Sequence, residues 1–344
     1  MDNDTKTPKN KIVKYILNMI VLVLLIALTF HILLKDQNGE ELFAILKSAK
    51  LPFVLLGLLC MLLFYICEYI YMRRTLRALG EDCSMLMAMK YTLIGIFFSG
   101  ITPAASGGQP LQVIYMKKDG IKVSSSTMAL ILNLFSFQVF TVGLALISLL
   151  FLHSYLKAGM IALFVIGVLL NSFSLAVIII GIFSKRLSTI LVNFVVKVMR
   201  KLKVKNCDAK EKAMNESLEK YNGSAQYIRS NKKIIIKQFT VGLLQQVLYY
   251  SVPFCVLNAF GLPMQNYFLM VGLQAMVFAM ASGIPLPGAV GVSEGAFVSV
   301  YKPIFTEELI SGAVILNRGI SFYLPMIVCA VVVIVATLKS KKRK

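Results

Sequence analysis

The chain has 344 residues, 58% of them hydrophobic and only 15% charged, with a mean hydropathy of +0.76 and a net charge of +20. A soluble domain carries roughly 45–50% apolar residues, so this composition excludes one and predicts an all-α integral membrane protein. Nucleic acid is excluded as a partner, because the basic excess follows membrane sidedness and accompanies no nucleic-acid motif.

Apolar runs near or above the roughly 18 residues needed to cross a bilayer begin at Ile12, Leu51, Met128, Met160, Phe239 and Leu309, which predicts about six transmembrane helices. The first run, Ile12 to Leu34, follows four lysines. It exceeds the ~7–15 residue core of a signal peptide and lacks a small-residue cleavage site, so it is read as a retained span. Lys and Arg in short loops stay in the cytoplasm. Lys6, Lys9, Lys11 and Lys14 place the N-terminus inside, and Arg73, Arg74 and Arg77 close the second span inside. The mixed segment Lys35 to Lys50 suits the outside.

The segment 91–116 contains "GITPAASGGQPLQV", a proline- and glycine-rich stretch among apolar residues. Its length of about 26 residues, ~39 Å as helix, would allow a crossing. A crossing, however, would put Lys117, Lys118, Lys122 and the strongly basic segment Lys185 to Lys237 outside. Entry from the cytoplasm, a turn at the prolines and a return keeps both inside, which predicts a re-entrant hairpin. The same parity applies to 267–301, where "IPLPGAVGVSEG" interrupts a run that must return to the outer loop holding Lys302, Glu307 and Glu308, so that the basic tail "KSKKRK" ends inside. Pro103-Ala104-Ala105-Ser106-Gly107 and Pro287-Gly288-Ala289-Val290-Gly291 share Pro, Ala and Gly at the first, third and fifth places. Opposed hairpins with related tips predict an inverted repeat; the alternative is two unrelated proline kinks in ordinary spans. The organisation is then 1–184, a first membrane half; 185–233, a cytoplasmic amphipathic and polar connector; and 234–344, a second half with a basic tail. N- and C-termini are cytoplasmic in a multi-pass protein of the cell membrane.

Within the connector, Leu187, Ile190, Leu191, Phe194, Val195, Val198, Met199 and Leu202 share one helical face, with basic residues on the rest. Residues 185–203 therefore read as an interfacial helix attracted to anionic lipid, against the simpler reading of a solvated connector. A polar helical segment, Ala209 to Ile228, follows.

Broken helices at membrane depth expose backbone N–H groups and a positive dipole end, which favour a phosphate-like group. Ser106, Gly107, Gly108 and Gln109 are expected to open one half-helix, with Pro110 in its first turn, and Ser293 is expected to cap another that starts at Glu294. Arg318 lies about nine residues into its span, ~14 Å deep, where an arginine costs roughly 2.5–3.5 kcal/mol. Glu294 is its cheapest partner, and the pair reads as a lipid contact or as a structural ion pair. Glu68 is expected to snorkel or to pair with Arg73 or Arg74. Asn133, Gln138, Gln245 and Gln246 read as interhelical hydrogen bonds. The six cysteines form no C-x-x-C pair, and two histidines at span ends supply neither a metal site nor a triad. No catalytic residue, metal or cofactor is expected.

"TPAASGGQP", "PLPGAVGVSEG" and the later Arg318 together resemble the lysylphosphatidylglycerol synthase transmembrane family, the flippase-like domain of multiple peptide resistance factor proteins, over nearly the whole chain. The resemblance implies movement of a phospholipid such as lysyl-phosphatidylglycerol to the outer leaflet, and resistance to cationic peptides. It makes Ser106, Gly107, Gly108, Pro287, Gly288, Gly291, Glu294 and Arg318 the residues of a lipid path, with Arg318 on phosphate and Glu294 on any cationic headgroup. Ala289 stands where the family commonly has glycine, and Ser293 where it often has arginine, which leaves the headgroup open. Full-length members add a soluble aminoacyltransferase domain, whereas this sequence stops six residues past Leu338. Lysyl transfer is therefore not expected of it alone. Two other readings stand: a membrane component working with a separate aminoacyltransferase, and a transporter of polyprenyl-phosphate.

Overall fold

In a computed structural model the described residues, 39–156, 158–201 and 207–342 with Ile20 and Leu24, contain only helices and the turns that join them. The expected first span, Ile12 to Leu34, lies outside them apart from those two residues. So do Leu202, Lys203 and the side chains of Leu187, Leu191, Phe194, Val195 and Val198, which leaves only Ile190 and Met199 of the predicted interfacial face described.

Five stretches are long and apolar enough to cross a membrane: Leu51–Ala78, Val123–Tyr155, Gly159–Phe183, Lys232–Ala259 and Ile310–Val335. Two shorter apolar helices, Met85–Gly100 and Tyr267–Ser282, precede the predicted interruptions. We number the helices α1 (Gly39–Ser48), α2 (Leu51–Ala78), α3 (Met85–Gly100), α4 (Gly108–Lys118), α5 (Val123–Leu152), α6 (Ala158–Phe183), α7 (Lys185–Lys201), α8 (Cys207–Ser230), α9 (Lys232–Tyr250), α10 (Val252–Ala259), α11 (Tyr267–Ser282), α12 (Val292–Tyr301), α13 (Ile310–Arg318) and α14 (Leu324–Lys342). α7 and α8 form the connector, consistent with its polar and amphipathic composition.

The order of elements repeats. In the first half a long helix (α2) leads into a broken pair (α3, α4) and then another long helix (α5). In the second half α9 and α10, broken at Pro253, lead into the pair α11, α12 and then α13 with α14. Within each pair the two helices pack on each other, and the two interruptions touch across the molecule. The repeated halves also interlock: α2 packs on α9 and α10, and α5 on α11.

Both interruptions are single turns of 3-10 helix, Pro103–Ala105 and Pro287–Ala289. Proline fixes the entry to each turn but cannot account for the left-handed backbone after it. Ala104 and Ala105 have φ of 51° and 54°, and Gly288 and Ala289 have 60° and 49°. Among the described residues the only non-glycine positive φ values are these three alanines. Each costs about 1–2 kcal/mol, so surrounding packing must impose the conformation. The hydrogen bonds match as well: Ala105 N–H donates to Thr102 O and Ser106 N–H to Pro103 O, as Ala289 N–H does to Leu286 O and Val290 N–H to Pro287 O. The two motifs thus share one backbone path over their first three residues, which supports pairing them as repeats, and then part: Ser106 and Gly107 are helical (ψ −18° and −22°), whereas Val290 is extended (ψ 139°) and Gly291 left-handed (φ 86°).

The largest core cluster joins α10, α11, α12 and α13 around Val256, Met270, Leu273, Met276, Phe297 and Tyr301. A small cluster sits between the interruptions, where Ile101 and Val290 pack with Phe97, Phe98, Phe322 and Met326. Outside, α6 turns Leu169 and Phe173 outward, 63% and 70% exposed. Large apolar side chains presented this way suit lipid rather than water.

Candidate functional site

A cavity of about 680 Å³ lies between the two interruptions. Ser106 and Gln109 reach it from the first, Gly288, Ala289 and Ser293 from the second, and Arg318 from α13. Its wall carries many polar groups for a site inside an apolar bundle, including Glu68, Thr92, Asn133, Gln245 and Asn317. Such groups are costly in hydrocarbon unless they are partnered or wet.

The charged centre is the expected pair. Arg318 is 6% exposed and Glu294 2%. Arg318 donates from Nε to Glu294 Oε1 at 2.7 Å and from Nη2 to Gly288 O at 2.9 Å, and its guanidinium lies 4.2 Å from the Phe322 ring centre. A five-residue π turn, Gly319–Tyr323, comes directly after it. This turn places both Phe322 and Tyr323 on the pair: Phe322 stacks on the arginine, and Tyr323 OH lies 3.4 Å from Glu294 Oε1 as a donor. A Cβ on Gly288 would run into the Phe322 ring, and φ there is 60°, so only glycine leaves the arginine its carbonyl.

Glu294 is fully used. Its Oε2 accepts from Gly291 N–H at 2.7 Å, closing the N-terminus of α12. This corrects two expectations. Ser293 is not the cap: α12 starts at Val292 with Gly291 (φ 86°) as N-cap, and Ser293 Oγ donates back to Ala289 O at 3.1 Å. Nor does Glu294 present a carboxylate to a ligand, because it does not line the cavity and is held between Arg318 and the helix start. The amide end of α12 is neutralised from within.

The first interruption is built differently. Gly107 is the N-cap of α4, with Gly108 and Gln109 next and Pro110 in the first turn, as expected. Gly107 N–H donates to Thr102 Oγ1 at 2.8 Å, a neutral partner. A Cβ on Gly108 would meet Ser99 Oγ and one on Gly95 the Gln112 amide, so these glycines let α3 and α4 approach. Ser106, Gln109, Gly288, Ser293 and Arg318 line the cavity, and Gly107, Gly108, Gly291 and Glu294 do not. Pro287 is buried.

The profile of the lysylphosphatidylglycerol synthase transmembrane region matches residues 15–329. The chain belongs to this family. Similar archaeal proteins are a UPF0104 membrane protein of Archaeoglobus fulgidus, 22% identical over 94% of this chain and 98% of its own length, and one of Pyrococcus horikoshii, 22% identical over 91% and 96%. A UPF0104 membrane protein of Methanothermobacter thermautotrophicus is 23% identical over 73% and 75%.

In this family member Glu68 takes a place that charge proximity along the sequence does not indicate. It pairs with neither Arg73 nor Arg74. Its Oε1 accepts from Asn133 Nδ2 of α5, and its Oε2 from Gln245 Nε2 of α9 at 2.6 Å, at the cavity wall. Asn133 and Gln245 are thus interhelical hydrogen-bond donors, as expected, but their acceptor is a carboxylate. Gln138 donates to Asn171 O and Gln246 to Thr141 Oγ1, again between helices. Outside the spans, Lys302 and Glu307 pair at 2.9 Å, and the ammonium holds the Glu307 carboxyl below its ordinary value.

Proposed function

We propose that the chain moves a phospholipid headgroup across the cell membrane through the cavity between the two interruptions, with the acyl chains remaining in lipid. The carrying observation is that two breaks from opposite halves, each opened by the same proline-led turn, meet at one polar cavity inside an otherwise apolar bundle. With α3–α4 entering from the cytoplasm and α11–α12 from outside, both termini are cytoplasmic and the halves are inverted, the arrangement in which transporters hold substrate at mid-depth. Arg318 offers its remaining N–H donors to a phosphate from one side. Ser106, Gln109, the start of α4 and the buried, unpartnered Thr92 hydroxyl offer donors from the other. The family's name favours an aminoacylated phosphatidylglycerol as the cargo.

The test is leaflet transfer of headgroup-labelled lipids in proteoliposomes. Replacing both members of the pair, Arg318→Met with Glu294→Gln, removes the charge without stranding its partner. Transfer is expected to fall to background with normal protein yield; undiminished transfer rejects the reading. Sidedness is checked separately: a cysteine at Lys118 is expected to label from the cytoplasm and one at Lys302 from outside, and the reverse result breaks the inverted arrangement. The family name also favours a second reading, a membrane component of lysyl-phosphatidylglycerol synthesis. New lysyl-phosphatidylglycerol in cells expressing this chain alone would support that instead.

A further inference from the structure

The two carboxylates at this site, Glu294 buried and Glu68 half-buried at the cavity wall, are in opposite situations. Glu294 has a cation, a tyrosine and a helix start. Glu68 has only two neutral amides, one from α5 and one from α9, and no Lys, Arg or His lies within ion-pair distance of it among the described residues. Amide donors satisfy its hydrogen-bond requirement but supply no charge, and an unpaired charge away from water is costly. The other titratable groups around it are Tyr65, Cys67 and Tyr71 of its own helix and Tyr249 of α9, none of them cationic. Arg318 reaches the same cavity from α13 but is committed to Glu294 and Gly288. A second group on the wall makes the same demand: Asn317 is 4% exposed, and its Oδ1 has no donor.

With Glu68 ionised, Glu68, Glu294 and Arg318 carry two negative charges against one positive. We propose that Glu68, held by Asn133 and Gln245, is the receiving end of a monovalent-cation site in the cavity. The cation is either an ammonium group on the incoming headgroup or a free alkali ion of the same charge. Neutral amides suit this task, since a fixed lysine would close the site whereas amides orient the carboxylate and leave its outer lone pairs to an exchangeable partner. The proposal rests on the cavity's being entered by a polar ligand, not on leaflet transfer itself.

The experiment uses the detergent-purified full chain and thermal unfolding. The chain has no tryptophan, so unfolding is followed with a thiol-reactive fluorophore on its buried cysteines, among them Cys67, Cys83, Cys255 and Cys329. Sodium, potassium and methylammonium chlorides are compared at constant ionic strength, with N-methylglucamine chloride as the common balancing salt. At least one small cation is expected to raise Tm by about 3 °C near saturation. Methylammonium acting alone identifies a headgroup amine, and sodium or potassium a free ion. Glu68→Gln is expected to erase the shift, and Gln245→Glu, which adds a carboxylate at equal volume, to enlarge it. Should Glu68→Gln fail to fold, the wild-type series and Gln245→Glu decide. No cation dependence in the wild type, the behaviour of a protonated and neutral Glu68, overturns the proposal, as does an equal shift in Glu68→Gln. A cation shift without lipid transfer would reject the transport reading and leave the site standing.

Discussion

The two interruptions share one proline-led, left-handed turn, then part in backbone and do different chemistry. At Pro103–Ala105 no charge is involved: a threonine hydroxyl takes the Gly107 amide, and the half-helix after it keeps its dipole uncompensated. At Pro287–Ala289 a nearby carboxylate, Glu294, closes the helix start and binds the buried arginine as well. The shared geometry is therefore a scaffold, and the electrostatics are set separately in each half by a few side chains. A headgroup between them meets a neutral donor surface on one side and a partnered cation on the other.

The largest expected effect is on the charged half. Arg318→Ala leaves Glu294 buried without its cation and should cost about 3–5 kcal/mol. The double replacement Arg318→Met with Glu294→Gln should recover most of that in a detergent melt. Equal losses in the single and double variants would show that packing against Phe322, rather than charge, holds this half. Next comes Gly288→Ala, which meets the Phe322 ring and should cost about 1–3 kcal/mol, well above the effect of Gly143→Ala, where a Cβ finds open space. Thr102→Ala removes the only side-chain partner of the Gly107 amide and should cost about 0.5–2 kcal/mol; a Thr102→Ser variant should keep most of it. The smallest effect separates the halves by conformation alone. Ala104→Gly relieves a left-handed alanine and should raise stability by roughly 0.5 kcal/mol, while Gly288, already glycine at the equivalent place, has nothing to gain.

Much of this is legible in the sequence, because membrane composition leaves few alternatives. A proline–glycine stretch inside an apolar run has no role in a plain span, and two opposite charges among apolar residues have little choice but each other. Both features lie where expected. Local rules fail where tertiary contacts decide. Serine is a preferred helix cap, which points to Ser293 as the boundary, yet a glycine at φ 86° with a glutamate reaching back starts α12 two residues earlier. Proximity along the chain points Glu68 toward the nearby arginines, but its donors lie 65 and 177 positions away, on helices brought together only by the fold. The left-handed alanines carry no sequence signal at all, since nothing about Ala-Ala announces a positive φ.

The widened turn at Gly319–Tyr323 has a consequence for how relatives are aligned. Removing one residue there would restore ordinary helix and leave α14 facing the same way, because the extra residue is absorbed within the widened turn, while it would take away the local offset that sets Phe322 and Tyr323 on the ion pair. A one-position gap at this point in a homologue would therefore signal a closed bulge with the following helix unturned, whereas the same gap within the regular part of α14 would rotate all that follows it.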